Sequence, residues 1–271
     1  MTSLTLRNIS VTLDHTEVVS DISVDVQSGS CTGLIGPNGS GKTTLLRAVA
    51  GLVQHSGELL LDGVGEAKQS KRARSLQFAY APQEPLLPPD MTVLELVLLG
   101  RAPHLGYFGN FSGRDTDVAR QAVDRLDLSA FMHRRLSTLS GGERRRAALA
   151  QVMAQQTPIL LLDEPTTALD VGHQQLVLEL IDRLRREDGL TVIIALHDLT
   201  LASQYADQLV LLQRGEIVAS GRPDDVLTAD RLMEHYGANL EVVRLRDGLA
   251  VHPVRPDQTQ EVAGFTGNPA R

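Results

Sequence analysis

GPNGSGKT, Gly36 to Thr43, matches the phosphate-loop pattern GxxxxGK[ST]. Glycines at 36, 39 and 41 let the backbone curl at positive φ around an anion and aim successive N–H groups inward. Lys42 is placed to reach the β- and γ-phosphates, and Thr43 to put its hydroxyl on Mg²⁺. Working outward, SGSCTGLI (Ser28 to Ile35) reads as a short buried strand and TTLLRAVAGL (Thr43 to Leu52) as an amphipathic helix. Strand, glycine loop and helix N-terminus together make an anion site. A chance glycine-rich turn is the bland alternative, and a second phosphate-site signal downstream argues against it.

The chain has 271 residues, 42% of them hydrophobic, with a net charge of −7. That balance does not favour wholesale nucleic-acid binding. The basic runs Lys71 to Arg74, Arg134–Arg135 and Arg144 to Arg146 lack interleaved aromatics, and there is no Trp. A base-stacking platform is therefore not expected, and these runs read as solvated helix faces. The single cysteine, Cys31, permits no intrachain disulfide and reads as a core thiol. Nothing near the N-terminus has the form of a signal peptide, and no stretch approaches the roughly 18 apolar residues of a membrane span. We expect a cytosolic protein, or one held at a membrane through a partner.

LTLRNISVTL (Leu4 to Leu13) and VVSDISVDV (Val18 to Val26) alternate with period two, which predicts antiparallel strands with one solvated face. GELLLDG (Gly57 to Gly63) and SLQFAYAPQ (Ser75 to Gln83) predict two more. A Pro-rich link then leads into a helical block, about residues 88–157, that carries TVLELVLLGR, DTDVARQAVDRLDL and GGERRRAALAQVMAQ. PILLLD (Pro158 to Asp163) and LTVIIAL (Leu190 to Leu196) are near-continuous apolar runs, as expected of parallel strands covered on both faces. The helix Val171 to Glu187 joins them. LVLLQRGEIVASG (Leu209 to Gly221) reads as a hairpin turned at Arg214–Gly215, and the tail from about Arg255 as loosely ordered. The fold expected is α/β: a phosphate-loop core with an antiparallel β portion and an inserted α-helical portion.

ILLLDEP (Ile159 to Pro165) ends an apolar strand in two carboxylates. Ligands in open parallel sheets sit at the carboxyl ends of the strands. Asp163 is thus placed to hold Mg²⁺ and Glu164 to polarise an attacking water; an acidic turn before Pro165 is the bland alternative. His197 follows the next apolar strand onto the same edge, within reach of a γ-phosphate, although a lone His at a strand end is more often structural. Gln83, after FAYAP, is placed to sense Mg²⁺ and water. In LSGGE (Leu139 to Glu143), Ser140 and Glu143 form a capping box. Such a box does not need Gly141 and Gly142, which cost helix stability but suit close approach of backbone to an anion.

Taken in order, GPNGSGKT, Gln83, LSGGE, LLLDEP, the loop Ala168 to Asp170 and His197 resemble the ATP-binding-cassette (ABC) ATPase subunits, from about Leu4 to His252. The resemblance implies a phosphate-loop, RecA-like ATPase core within an ATP-binding domain of residues 2–240, followed by a strand pair and tail in 241–271. It implies ATP and Mg²⁺ as cofactors, with two copies in a head-to-tail sandwich. One copy would hold ATP through Gly36, Pro37, Asn38, Gly39, Ser40, Gly41, Lys42, Thr43 and Thr44. Thr43, Gln83 and Asp163 would hold the metal, Glu164 would act as general base, and His197 would contact the γ-phosphate. The other copy would supply Ser140, Gly141 and Gly142 in trans, with Asp170 near the shared axis. Leu13 stands where the family usually places an aromatic residue to stack on adenine, and His15 is an alternative stacking group.

TVLELVLLGRAPHLGYFG (Thr92 to Gly109), ALDVGHQ (Ala168 to Gln174) and LTADRLMEHYG (Leu227 to Gly237) are similar to subunits serving iron–siderophore, haem and cobalamin importers. The resemblance implies a motor for import, most of all of ferric siderophores, at the cytoplasmic face of the membrane. Its partners would be a second copy of the chain, integral membrane permease subunits and, through these, a substrate-binding protein. Pro103, His104, Leu105, Tyr107 and Phe108 form the patch against which a permease would lean; an ordinary hydrophobic cluster is the alternative. Other readings are an exporter or other importer motor, and a soluble cassette ATPase acting on DNA or ribosomes. The absence of a second cassette and the acidic balance disfavour the soluble reading, so nucleic acid is not expected as a partner.

Overall fold

A computed structural model describes residues 2–65, 70–106, 109–167 and 169–255. The chain opens with β1 (Leu4–Leu13) and β2 (Thr16–Val26), an antiparallel pair joined by a two-residue turn at Asp14–His15. Both turn residues have positive φ, which matches the right-handed twist of a hairpin. The buried strand β3 (Cys31–Ile35) leads through the glycine loop into α1 (Lys42–Val49). β4 (Ser56–Leu61) and β5 (Val64–Gly65) complete a four-stranded sheet in the order β2-β1-β4-β5.

A short helix, α2 (Lys71–Ser75), precedes β6 (Phe78–Ala81). The strand expected over Ser75 to Gln83 is therefore shorter at both ends. Ser70 caps α2 by accepting from Ala73 N, so the first residues turn helical. Pro82 has no N–H with which to continue the ladder. The basic run on α2 is not simply a solvated face. Arg74 donates to the carbonyls of Ala48 and Val49 at the C-terminal end of α1, at 2.9–3.1 Å, and lies over the Phe78 ring. A cation there complements the negative end of the helix.

Three helices follow: α3 (Val93–Leu99), α4 (Gly113–Arg125) and α5 (Gly141–Ala154). Each opens with a capping box, built on Thr92 and Glu95, Ser112 and Asp115, and Ser140 and Glu143. The buried Arg101 ties the three together. Its guanidinium bonds Asp115 Oδ1 at 3.1 Å, Ala154 O at 2.8 Å and Gln156 Oε1 at 2.9 Å. Tyr107 and Phe108 of the expected docking patch lie outside the described residues. Within the rest of that patch, His104 Nε2 donates to Gln155 O, and Arg72 donates to the carbonyls of Pro103 and His104.

The chain then returns through β7 (Ile159–Asp163), α6 (Val171–Asp188), β8 (Thr191–Ala195), α7 (Leu199–Tyr205), β9 (Gln208–Gln213) and β10 (Glu216–Gly221). The main sheet has the order β10-β9-β3-β8-β7-β6, parallel except for β10. Arg214 and Gly215 make the β9–β10 turn with φ of 49° and 86°. Finally α8 (Pro223–Val226) and α9 (Ala229–Tyr236) lead to the hairpin of β11 (Leu240–Leu245) and β12 (Gly248–Pro253). The hairpin is stitched to α7 by Ser203 and Thr200, whose hydroxyls bond the backbone of Leu249 and Val251. The tail beyond residue 255 lies outside the described residues.

Among the described residues the core falls into two apolar clusters. One, between the antiparallel sheet, α1 and one face of the main sheet, includes Leu4, Ile9, Ile22, Leu46, Leu161 and Ile193. The other joins the opposite face to the remaining helices and includes Ile35, Leu96, Leu162, Leu178 and Ile194. Burying each such side chain contributes roughly 1.5–3 kcal/mol. β3, β7 and β8 are sandwiched between the clusters, and the phosphate loop, Glu164 and His197 follow their carboxyl ends, where open parallel sheets bind ligands. Cys31 is buried, and desolvation pushes its thiol up to about 12, so it packs as an inert apolar group.

Candidate functional site

The phosphate loop is shaped by what crowds it. Gly36 has φ 145°, and a Cβ there would lie 2.1 Å from the carbonyl oxygen of Leu212 on β9. Gly41 has φ 102°, and its Cβ would press on the backbone of Val18. Gly41 is also the N-cap of α1, with no side-chain cap and no acidic residue in the first turn. The leading N–H groups of α1 thus remain for an anion. Lys42 is 5% exposed, and its ammonium donates to Gly36 O at 2.8 Å and Pro37 O at 3.1 Å. Burial lowers its pKa, opposed by the charges of Glu164 and Asp163.

The metal-ligand candidates converge from separate segments. Thr43 Oγ1 donates to Asp163 Oδ1 at 3.0 Å, joining the first turn of α1 to the end of β7. Tyr80 Oη donates to the other oxygen, Oδ2, at 3.0 Å. Asp163 is 2% exposed, and burial raises its pKa against the hydrogen bonds from Tyr80 and Thr43. Next to it, Glu164 has φ 49°, an uncommon conformation for a non-glycine residue that is held by the N–H bond from Glu164 to Ala195 O at 3.2 Å. Its carboxylate meets three groups. Oε1 lies 2.5 Å from His197 Nε2, while Oε2 accepts from Gln83 Nε2 at 2.7 Å and from Thr167 Oγ1 at 3.1 Å.

These residues fit a magnesium nucleotide. A hydroxyl and a carboxylate are the hard oxygen donors that Mg²⁺ takes beside substrate phosphates. Ser40 Oγ, inside the loop, is buried with no hydrogen-bond partner among the described residues, so it has bonding capacity for a phosphate.

The structure thus brings together Lys42, Thr43, Gln83, Asp163, Glu164 and His197. It does not bring Ser140, Gly141, Gly142 or Asp170 onto the same loop. Ser140 is the cap of α5: its N–H and hydroxyl pair with Glu143, and its carbonyl accepts from Arg144 N. Asp170 caps α6 and bonds the N–H and ring of His173, which stands beside Gly142. Leu13 is 39% exposed at the end of β1, and His15 lies in the neighbouring turn. Ala168 lies outside the described residues.

Three residues were not singled out from the sequence. In the sequence Tyr80 is one residue of a strand-like run, and Thr167 falls in no motif. Arg145 was read with its neighbours as a solvated face. It is instead half-buried, donating to Thr167 O at 2.6 Å and Gln83 O at 3.0 Å, so α5 is tied to both loops that hold Glu164. A helix-period count from Ala147 and Ala148 places position 145 at the edge of the buried face, the one cue that the sequence offered.

The family model described as ABC transporter matches residues 19–167. Over 241 residues, 88% of this chain and 89% of the relative, the chain is 38% identical to the ferric enterobactin transport ATP-binding protein FepC of Escherichia coli. It is 40% identical over 257 residues, 93% of this chain and 84% of the relative, to the hemin import ATP-binding protein HmuV of Rhodococcus jostii. Among solved structures, it resembles a proposed metal-chelate type ABC transporter in an inward-facing conformation, with TM-score 0.80 and 26% identity over 96% of this chain and 99% of that one. A phosphate-loop sheet with an acid pair closing β7 defines a nucleotide hydrolase. The chain belongs to the ABC transporter family as an ATP-binding subunit, and it is an ATPase.

Proposed function

We propose that this ATPase drives the import of ferric siderophores, coupling ATP binding and hydrolysis to a membrane permease, with haem or cobalamin import as the alternative. The observation that carries the motor reading is the cluster on Glu164, in which His197, Gln83 and Thr167 orient one carboxylate beside Asp163 and Thr43. Phosphoryl transfer needs little covalent help from protein, so positioning and charge are the main contributions. In this reading the phosphate loop from Gly36 to Thr44, with Lys42, grips the triphosphate. Thr43 and Asp163 hold Mg²⁺, which neutralises phosphate charge when bound, with Gln83 sensing it. Glu164 takes the proton of the attacking water, and His197 contacts the γ-phosphate. A second copy supplies Ser140, Gly141, Gly142 and Asp170 across the shared face.

The permease partner is supported by a groove of about 670 Å³ between the main sheet and the helical block, lined in part by Leu86, Leu99, Pro103, Leu149 and Pro85. Leu86, 94% exposed, and Leu99, 38% exposed, both line it and give the groove an apolar surface that a partner would cover. No helix among the described residues is long and apolar enough to cross a membrane, so a place at the cytoplasmic face would come through that partner. The iron cargo is supported by the relative that carries ferric enterobactin in its name and by the metal-chelate type of the structural neighbour.

The test is uptake by cells with the chromosomal gene deleted and restored. Loss of ⁵⁵Fe-siderophore uptake, restored by the wild-type gene but not by Glu164→Gln, is expected. Normal iron uptake with lost haem or cobalamin uptake would select the alternative cargo.

A further inference from the structure

We propose that Tyr80 is a positioning residue for the magnesium carboxylate, fixing Asp163 so that one oxygen alone faces the ion. The inference rests on the reading that Asp163 and Thr43 hold Mg²⁺. A carboxylate at a strand end can rotate and offer either oxygen, and each orientation presents a different geometry to a cation that demands near-ideal octahedral coordination. Here the two oxygens have different tasks. Oδ1 meets Thr43 on α1, and Oδ2 is occupied by the Tyr80 hydroxyl at 3.0 Å.

The sequence explains how the phenol reaches. β6 runs parallel to β7 with Tyr80 opposite Leu161, two residues before Asp163. A tyrosine ring is long enough to span that offset, and its apolar body packs into the cluster beneath α1. Its hydroxyl has one proton to give. Arg47 Nε, one helical turn beyond Thr43, points at the same oxygen from 3.4 Å. With its oxygen accepting from Arg47, the hydroxyl directs its proton to Asp163. The chain therefore closes a circuit: Thr43 to Asp163, Asp163 to Tyr80, Tyr80 to Arg47, and Arg47 back along α1 to Thr43. A neutral phenol orients the carboxylate without cancelling its charge, whereas Lys or Arg in the same place would compete with the metal. Partners of this kind typically govern metal affinity by ten- to a hundredfold.

The test compares wild type, Tyr80→Phe and Asp163→Asn as full-length proteins, by the fluorescence of methylanthraniloyl-ATP titrated with Mg²⁺ and again in EDTA. Tyr80→Phe is expected to raise the half-saturating Mg²⁺ about tenfold while leaving metal-free nucleotide binding unchanged. Hydrolysis should recover at high Mg²⁺. Arg47→Met is expected to move the titration the same way by a smaller factor. A Tyr80→Phe protein with a lowered melting temperature but the wild-type Mg²⁺ midpoint would overturn the proposal and leave Tyr80 a packing residue. An Asp163→Asn protein with the wild-type midpoint would instead overturn the underlying reading of Asp163.

Discussion

Glu164 Oε1 and His197 Nε2 stand 2.5 Å apart at the ends of two neighbouring strands. β7 and β8 run parallel with Asp163 opposite Ala195, so the residue after one strand meets the second residue after the other. The contact orients the carboxylate from one side while Gln83 and Thr167 orient it from the other. His197→Ala should therefore cut turnover by at least about a hundredfold, the lower end of the range for a positioned acid–base group, with ATP affinity changed far less. Steady-state hydrolysis beside nucleotide titration checks this.

Lys42→Ala removes the one ammonium inside the phosphate loop. Charge-assisted bonds of this kind are each worth about 1.5–3 kcal/mol. Affinity for ATP should fall by roughly a hundredfold or more, with little change in fold. Isothermal titration, read beside far-UV circular dichroism, separates the two.

Arg74→Ala should destabilise the free protein without touching the nucleotide. The guanidinium bonds two carbonyls at the end of α1 and covers Phe78. A loss of about 2 kcal/mol is expected from charged hydrogen bonds and the helix-end interaction. Thermal unfolding should show a midpoint lower by several degrees at unchanged ATP affinity.

Acid should loosen the helical block through Asp115. Hydrogen bonds from the Ser112 hydroxyl and N–H, then Arg101, lower its pKa from the ordinary 3.8 to about 2. Because the folded value is depressed, the stabilisation is present above the unfolded pKa and is lost as pH falls through the folded one. Asp115→Asn should be less stable than wild type at neutral pH, and the gap should narrow as pH drops from about 4 towards 2. Urea unfolding at several pH values measures it.

These sites differ in how visible they were before the structure. The phosphate loop and the ends of β7 and β8 were legible because a parallel strand buried on both faces is a continuous apolar run, and a change of chemistry at its end stands out. The antiparallel pair was legible through alternation. Tyr80, Thr167 and Arg145 were not, because each acts through a partner distant in sequence, and no local period encodes a bond from 80 to 163 or from 145 to 83. Arg74 and Arg101 escaped for the same reason, since an arginine that caps a remote helix end reads like one in solvent. The short helix α2 was missed because a strand pattern continued through Ser75, while the deciding cap at Ser70 lay outside it.

In the proposed function Glu164 is the base of a site completed by a second copy of the chain. The direct measurement is light scattering with nucleotide quantification on purified Glu164→Gln in ATP and Mg²⁺. A stable dimer retaining two ATP molecules, with hydrolysis near zero, is expected. A variant that stays monomeric in ATP, or that turns over at the wild-type rate, would contradict it.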